Sequence, residues 1–201
     1  MKRQFSNLLL GAALAAFALP ALAQTSSNTQ DPATINQRKE NQQDRIGQGV
    51  QSGQLTSGET ANLEKKQTNL NQEERDMRKL DNGHLTASDR STLNQQQNQL
   101  SNKIYQDKHN AAAQNTNPKS EVGKRAENQQ DRIAQGVKSG QLTSRETANL
   151  ESRDARINRE VHNDRAANGG KLTGAEKAQV NHQQNRVSRR IYRDKHNGRK
   201  Q

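Results

Sequence analysis

The sequence predicts an all-α fold: two tandem three-helix units, helical hairpins with coiled-coil-like seams, joined by a flexible linker. Three observations predict it. Residues 38–111 return without a gap as residues 125–198, and about 40 of the 74 aligned positions are identical. A duplicated unit of this length signals architecture before anything else. Within each copy a Gly-x-Leu-Thr-x-x-acid motif occurs twice. Its four instances are Gly53–Glu59, Gly83–Asp89, Gly140–Glu146 and Gly170–Glu176. Finally, large apolar residues recur at seven-residue spacing between these motifs, as in antiparallel helix packing.

The chain begins with what reads as a signal peptide over residues 1–23. Lys2 and Arg3 precede an apolar stretch from Leu8 to Leu19, and Ala21-Leu22-Ala23 forms an A-x-A cleavage site. The expectation is an exported, periplasmic or secreted protein cleaved near Ala23, with no transmembrane segment. Residues 24–37, rich in Ser, Thr, Asn and Gln, are expected to form a disordered leader. Repeat one spans 38–111, a linker containing Pro118 spans 112–124, repeat two spans 125–198, and 199–201 is a basic tail.

Six helices are expected at about 37–52, 56–81, 86–110, 122–139, 143–167 and 173–197. The four-fold motif sets their corners. Its glycine supplies the left-handed residue that ends one helix. Its threonine (Thr56, Thr86, Thr143, Thr173) caps the next by accepting a free backbone N–H. The acid three residues on (Glu59, Asp89, Glu146, Glu176) completes a capping box and favours the positive helix end. Leu63, Leu70 and Met77 form one seam. Leu93, Leu100 and Ile104 form the next, with Gln97 among them. Leu150, Ile157 and Val161 answer the first in repeat two; Val180, Val187 and Ile191 answer the second, with Gln184 inside. The seams are thin. Leu, Ile, Val and Phe make up roughly 15% of the chain, a level typical of disordered sequences, so a single repeat is expected to be marginal. Homo-oligomerisation through these seams is one way to bury more.

There is no cysteine, so neither disulfides nor thiol chemistry are available. No nucleophile elbow, phosphate loop or zinc motif is present, and no desolvating apolar pocket in which a carboxylate is retuned is expected. The expectation is a non-enzymatic protein without cofactor. The weak metal candidates are His109 and His196, with Asp107 and Asp194. Each pair stands two apart, where helical side chains diverge, and Lys and His at a helix C-terminus already suit the negative end of the dipole.

Charge differs between the copies. The net charge is +11, with repeat one near +1 and repeat two near +6 by residue count. Arg186, Arg189, Arg190, Arg193, Lys195, Arg199 and Lys200 cluster at the end and make the C-terminal helix the candidate anion-binding element. Exported proteins meet lipopolysaccharide, anionic lipid and acidic clients. Nucleic acid lacks supporting aromatics here: beyond the signal, only Tyr105 and Tyr192 remain, and both read as rim packing.

The corner motif matches the closing half of an EF-hand loop, but its leading ligand positions before Gly83 are Arg78 and Leu80, which argues against calcium. It also resembles the LTxxQ signature of the Spy-like periplasmic stress chaperones, with Glu59, Asp89, Glu146 and Glu176 in place of glutamine. That resemblance implies an exported, helical, basic protein that binds or shields unfolded proteins without ATP. The repeat as a whole, with its Ile-Tyr-x-Asp-Lys-His-Asn ending, looks like uncharacterised exported bacterial proteins.

Overall fold

A computed structural model describes residues 32–114 and 119–199. The signal peptide with its cleavage site, the leader up to Asp31, Pro118 and Lys200 lie outside these residues. The described chain is all-helical, with no strand. Its helices are α1 (Pro32–Gln51), α2 (Ser57–Leu80), α3 (Ala87–Lys108), α4 (Glu121–Lys138), α5 (Ser144–Ala167) and α6 (Gly174–Lys195).

The four corners form as capping chemistry dictates. Thr56, Thr86, Thr143 and Thr173 sit in extended backbone, and each side chain accepts the N–H of the acid three residues on. Each acid accepts the threonine N–H in return, at 2.9, 2.9, 3.1 and 2.8 Å in chain order. The corners preceding α2 and α5 also require glycine upstream. A Cβ on Gly49 or Gly136 would lie 2.6 Å from the Cδ1 of Leu55 or Leu142. Those leucines close each corner by folding back onto the helix they have just left, with Leu55 N–H bonded to Gly49 O and Leu142 N–H to Gly136 O.

Two limits differ from expectation. α1 begins at Pro32, inside the segment read as leader, because Ile35 is a core residue, 1% exposed. α4 begins at Glu121, inside the segment read as linker. The Ser120 hydroxyl caps it by accepting the Gly123 N–H, and Val122 is buried. The linker is also tethered at its start: Gln114 N–H donates to Gly53 O, and its side-chain oxygen accepts from Ser57 N–H.

Glutamines reinforce the thin seams within each repeat. Gln42 donates to Gln97 O and Ser101 Oγ across α1 and α3, while Gln97 donates back to Ile35 O. Gln129, Gln184, Ser188 and Val122 O repeat the pattern between α4 and α6. All four amides are buried. Their donated bonds join the helices at buried positions, while the side-chain oxygens of Gln42, Gln97 and Gln184 are buried without a partner, which offsets part of the gain.

The repeats also pack on each other, α2 against α5 and α1 against α4. In the first pair Ser57, at the start of α2, lies beside Glu151, about two turns into α5. Ser144, at the start of α5, lies beside Glu64, about two turns into α2. Because Ser57 and Ser144, and Glu64 and Glu151, are equivalent residues of the two copies, this reciprocity describes an approximate two-fold axis between antiparallel helices. Ser57, Thr60, Ala61, Thr147 and Ala148 are all buried. Small side chains thus give α2 and α5 a second buried face. In the α1–α4 contact Ala134 joins the apolar cluster of repeat one, and Lys138 Nζ donates to Gln51 Oε1 at 3.3 Å.

Candidate functional site

The Ile-Tyr-x-Asp-Lys-His-Asn block proves to be a lock on the helix end. Ile104 and Ile191 are fully buried. Asp107 pairs with Lys103 at 2.7 Å, and Asp194 with Arg190 at 2.6 Å. His109 and His196 stack on Tyr105 and Tyr192, with ring centroids 4.1 and 4.3 Å apart. Each Nδ1 bonds the tyrosine carbonyl. A carbonyl only accepts, so Nδ1 carries the proton and Nε2 is the free nitrogen. Asn110 and Asn197 reach Glu59 and Glu146, the acids of the first capping box in each repeat, at 2.6 and 2.7 Å. The end of each third helix is therefore tied to the start of the second. Among the described residues no three of His, Asp and Glu come together as a metal-binding group.

Contrary to the expectation that no desolvating environment retunes a carboxylate, three carboxyl groups are buried at the inter-repeat face, where packing of α2 on α5 removes them from water. Burial pushes Glu64 up to about 7, against the Ser144 and Gln43 side chains, which favour the charged form. Burial raises Glu151 further, and the neighbouring Asp154 adds to the rise. Asp154 is raised by burial in the same way. Gln43 donates to Glu64 at 3.2 Å; Gln130 donates to both Glu151 and Asp154, at 3.1 and 3.0 Å. The second oxygens of Glu64 and Glu151 are buried without a partner, which suits a protonated carboxyl better than a carboxylate. The equivalent of Asp154 in repeat one is Gln67, also fully buried.

The surface carries the charge. Of the C-terminal cations, Arg186, Arg189 and Arg193 are exposed and, at intervals of three and four, share one face of α6. None makes an ion pair among the described residues. Arg190 is engaged with Asp194, Lys195 donates to Gln135, and Arg199 lies 3.7 Å from Glu146. The expected cluster thus divides into a free stripe and a set tied into the fold.

A second stripe lies on α5. Arg145, Arg153, Arg156 and Arg159 are exposed and likewise unpaired among the described residues. Arg153, Arg156 and Arg159, with Lys65 of α2, line a furrow of about 510 Å³ between α2 and α5 that has no carboxylate in its walls. The sequence holds a signal for it. Gly58, Asn69, Gln72, Gln99, Asn102 and Gln106 of repeat one are replaced by Arg145, Arg156, Arg159, Arg186, Arg189 and Arg193. These six exchanges outweigh the rest of the charge difference between the copies, whose remaining exchanges nearly cancel. In repeat one the furrow between α2 and α3, about 590 Å³, is lined by Lys66, Glu73, Gln99, Asn102 and Gln106, among others. The corresponding residues of repeat two are Arg153, Glu160, Arg186, Arg189 and Arg193. Glu160 is occupied there by the Gln179 and Gln183 amides.

Comparison with known protein families, curated proteins and solved structures finds no match to this chain. Among the described residues no helix is long and apolar enough to cross a membrane.

Proposed function

We propose that this chain is a non-enzymatic, exported helical protein whose second repeat binds anionic components of the cell envelope. The observation that carries the reading is the placement of the charge. Two copies that agree in caps, seams and helix-end locks differ at six surface positions that turn from neutral to arginine. Folding requires none of these six: repeat one builds the same three helices without them. Unpaired cations on one face attract anions and are screened by salt. The test is binding to anionic vesicles and to lipopolysaccharide, comparing the wild type with Arg186→Gln/Arg189→Asn/Arg193→Gln. Affinity is expected to drop at least tenfold and to fall with added salt; an unchanged affinity refutes the reading.

Protection of unfolded proteins is the second reading, favoured by the LTxxQ-like corners. The large apolar side chains exposed among the described residues are Leu80, Tyr105 and Tyr192. A client would therefore be held chiefly by charge, which favours acidic clients. Suppression of client aggregation without ATP tests it; no suppression at equimolar protein refutes it.

A further inference from the structure

The described surface offers two places where an anion would be held. The α6 stripe belongs to the α5–α6 furrow, because its equivalents Gln99, Asn102 and Gln106 line the α2–α3 furrow of repeat one. That furrow contains Glu160. The α2–α5 furrow is recessed, has cations on both walls and contains no carboxylate. Arg153 and Arg156 sit on the ridge of α5 and serve both furrows, as their equivalents Lys66 and Asn69 show by lining the α2–α3 furrow of repeat one. The cations therefore form one band. It starts at Lys65 on α2, crosses α5 at Arg153, Arg156 and Arg159, and reaches Arg186, Arg189 and Arg193 on α6. Successive arginines on one helix are separated by three or four residues, about 5 Å along its axis.

We propose that this band is a binding track for a linear chain of phosphate groups, seated in the α2–α5 furrow and continued across α5 to α6. The proposal rests on the anion-binding reading and specifies its ligand. A recessed groove with charge on both walls matches a chain better than a plane, since a bilayer surface touches only the ridges. Arginine presents a planar donor fork suited to phosphate oxygens. Strand recognition with base stacking needs aromatic platforms, whereas Tyr105 and Tyr192 are each stacked on their own histidine. The track reads phosphates and not bases. Because its two walls come from different repeats, it exists only while α2 and α5 are packed together. Duplication thereby creates a site that neither copy holds alone.

The test compares inorganic polyphosphate and anionic vesicles as probes of the full mature chain. One variant, Lys65→Ser/Arg156→Asn/Arg159→Gln, removes the furrow cations. The other is the α6 triple variant described above. Every substitution installs the residue that the other copy carries at the equivalent position, and thermal melting confirms that each variant folds. The furrow variant is expected to lose at least tenfold in polyphosphate affinity, and its salt slope is expected to fall by about two to three. Its vesicle binding, which reaches the ridge at Arg156 but not the furrow floor, is expected to fall less than its polyphosphate binding does. Polyphosphate affinity unchanged in a folded furrow variant overturns the track. If the α6 variant still loses vesicle binding in that case, the anion-binding reading stands without it. A wild type that binds neither probe refutes both. In parallel, arginine side-chain NMR resonances of the wild type are expected to shift at Arg153, Arg156 and Arg159 on adding polyphosphate. The absence of shifts at these three also overturns the proposal, whatever the variants do. Single-stranded DNA bound more tightly than polyphosphate of equal charge would overturn the assignment of a base-free ligand.

Discussion

Glu64→Gln is expected to stabilise the protein at pH 8 and to do almost nothing at pH 4.5. The Glu64 carboxyl is fully buried at the α2–α5 face, where burial pushes it up to about 7 from an ordinary value of 4.5. Below pH 4.5 the group is protonated in both folded and unfolded chains, so it imposes no penalty. Between 4.5 and about 7 the unfolded chain releases the proton while the fold retains it. Stability then falls by about 1.4 kcal/mol per pH unit. Above about 7 both states are ionised and the whole penalty, on the order of 3 kcal/mol, is present. Glutamine has nearly the same shape and keeps an oxygen to accept from Gln43 Nε2, but it has no proton to lose. Urea unfolding of wild type and variant at pH 4.5 and pH 8 measures the difference directly. The variant is expected to gain on the order of 2–3 kcal/mol at pH 8 relative to its effect at pH 4.5. An effect of equal size at both pH values, or a loss at pH 8, would refute a buried, neutral Glu64.

Three further outcomes follow from other parts of the fold. Asp154→Gln installs the residue that repeat one holds at this position; burial raises Asp154, so the melting temperature is expected to rise at pH 8 more than at pH 4.5, as calorimetry would show. Thr143→Ala removes the α5 cap and is expected to cost about 1 kcal/mol, with faster amide exchange confined to the first turn of α5. Gly136→Ala drives a methyl into Leu142 at 2.6 Å and is expected to cost about 1–3 kcal/mol by urea unfolding; a cost below 0.5 kcal/mol would show that the corner is looser than its geometry.

Much of the fold was legible because its instructions are local. The Gly-x-Leu-Thr-x-x-acid corners carry their own geometry in seven residues, and all four form as read. The seams at Leu63, Leu93, Leu150 and Val187 follow helical spacing. The inter-repeat face was not legible, because Ser57, Thr60, Ala61, Glu64 and Thr147 are small or polar and carry no hydrophobic signal. Their burial is decided by close approach of two helices from distant parts of the chain. Ile35 stands alone among polar residues, which is why the sequence places the start of α1 near residue 37 and the fold places it at Pro32. The Asp-Lys-His-Asn ending looked like a site because Asp and His attract that reading; Lys103 and Arg190 stand one turn before Asp107 and Asp194 on the same helix, whereas Glu59 and Glu146 meet Asn110 and Asn197 only in the folded unit. For the anion-binding surface, charge at the C-terminus was evident. The α5 half of the band emerges only when α2 and α5 are set side by side, which turns Arg153, Arg156 and Arg159 from scattered helix residues into one furrow with Lys65.

Both the buried carboxyl cluster and the cationic furrow depend on the two repeats packing face to face, and a distance between them tests this most directly. The chain has no cysteine, so spin labels on Gln51→Cys and Lys138→Cys report without background. These exposed side chains meet at 3.3 Å across α1 and α4. Pulsed electron resonance is expected to give one narrow distribution at short distance. Two independent units on a flexible linker of a dozen residues would wander by about 20 Å, and a broad, long distribution of that kind would contradict the account.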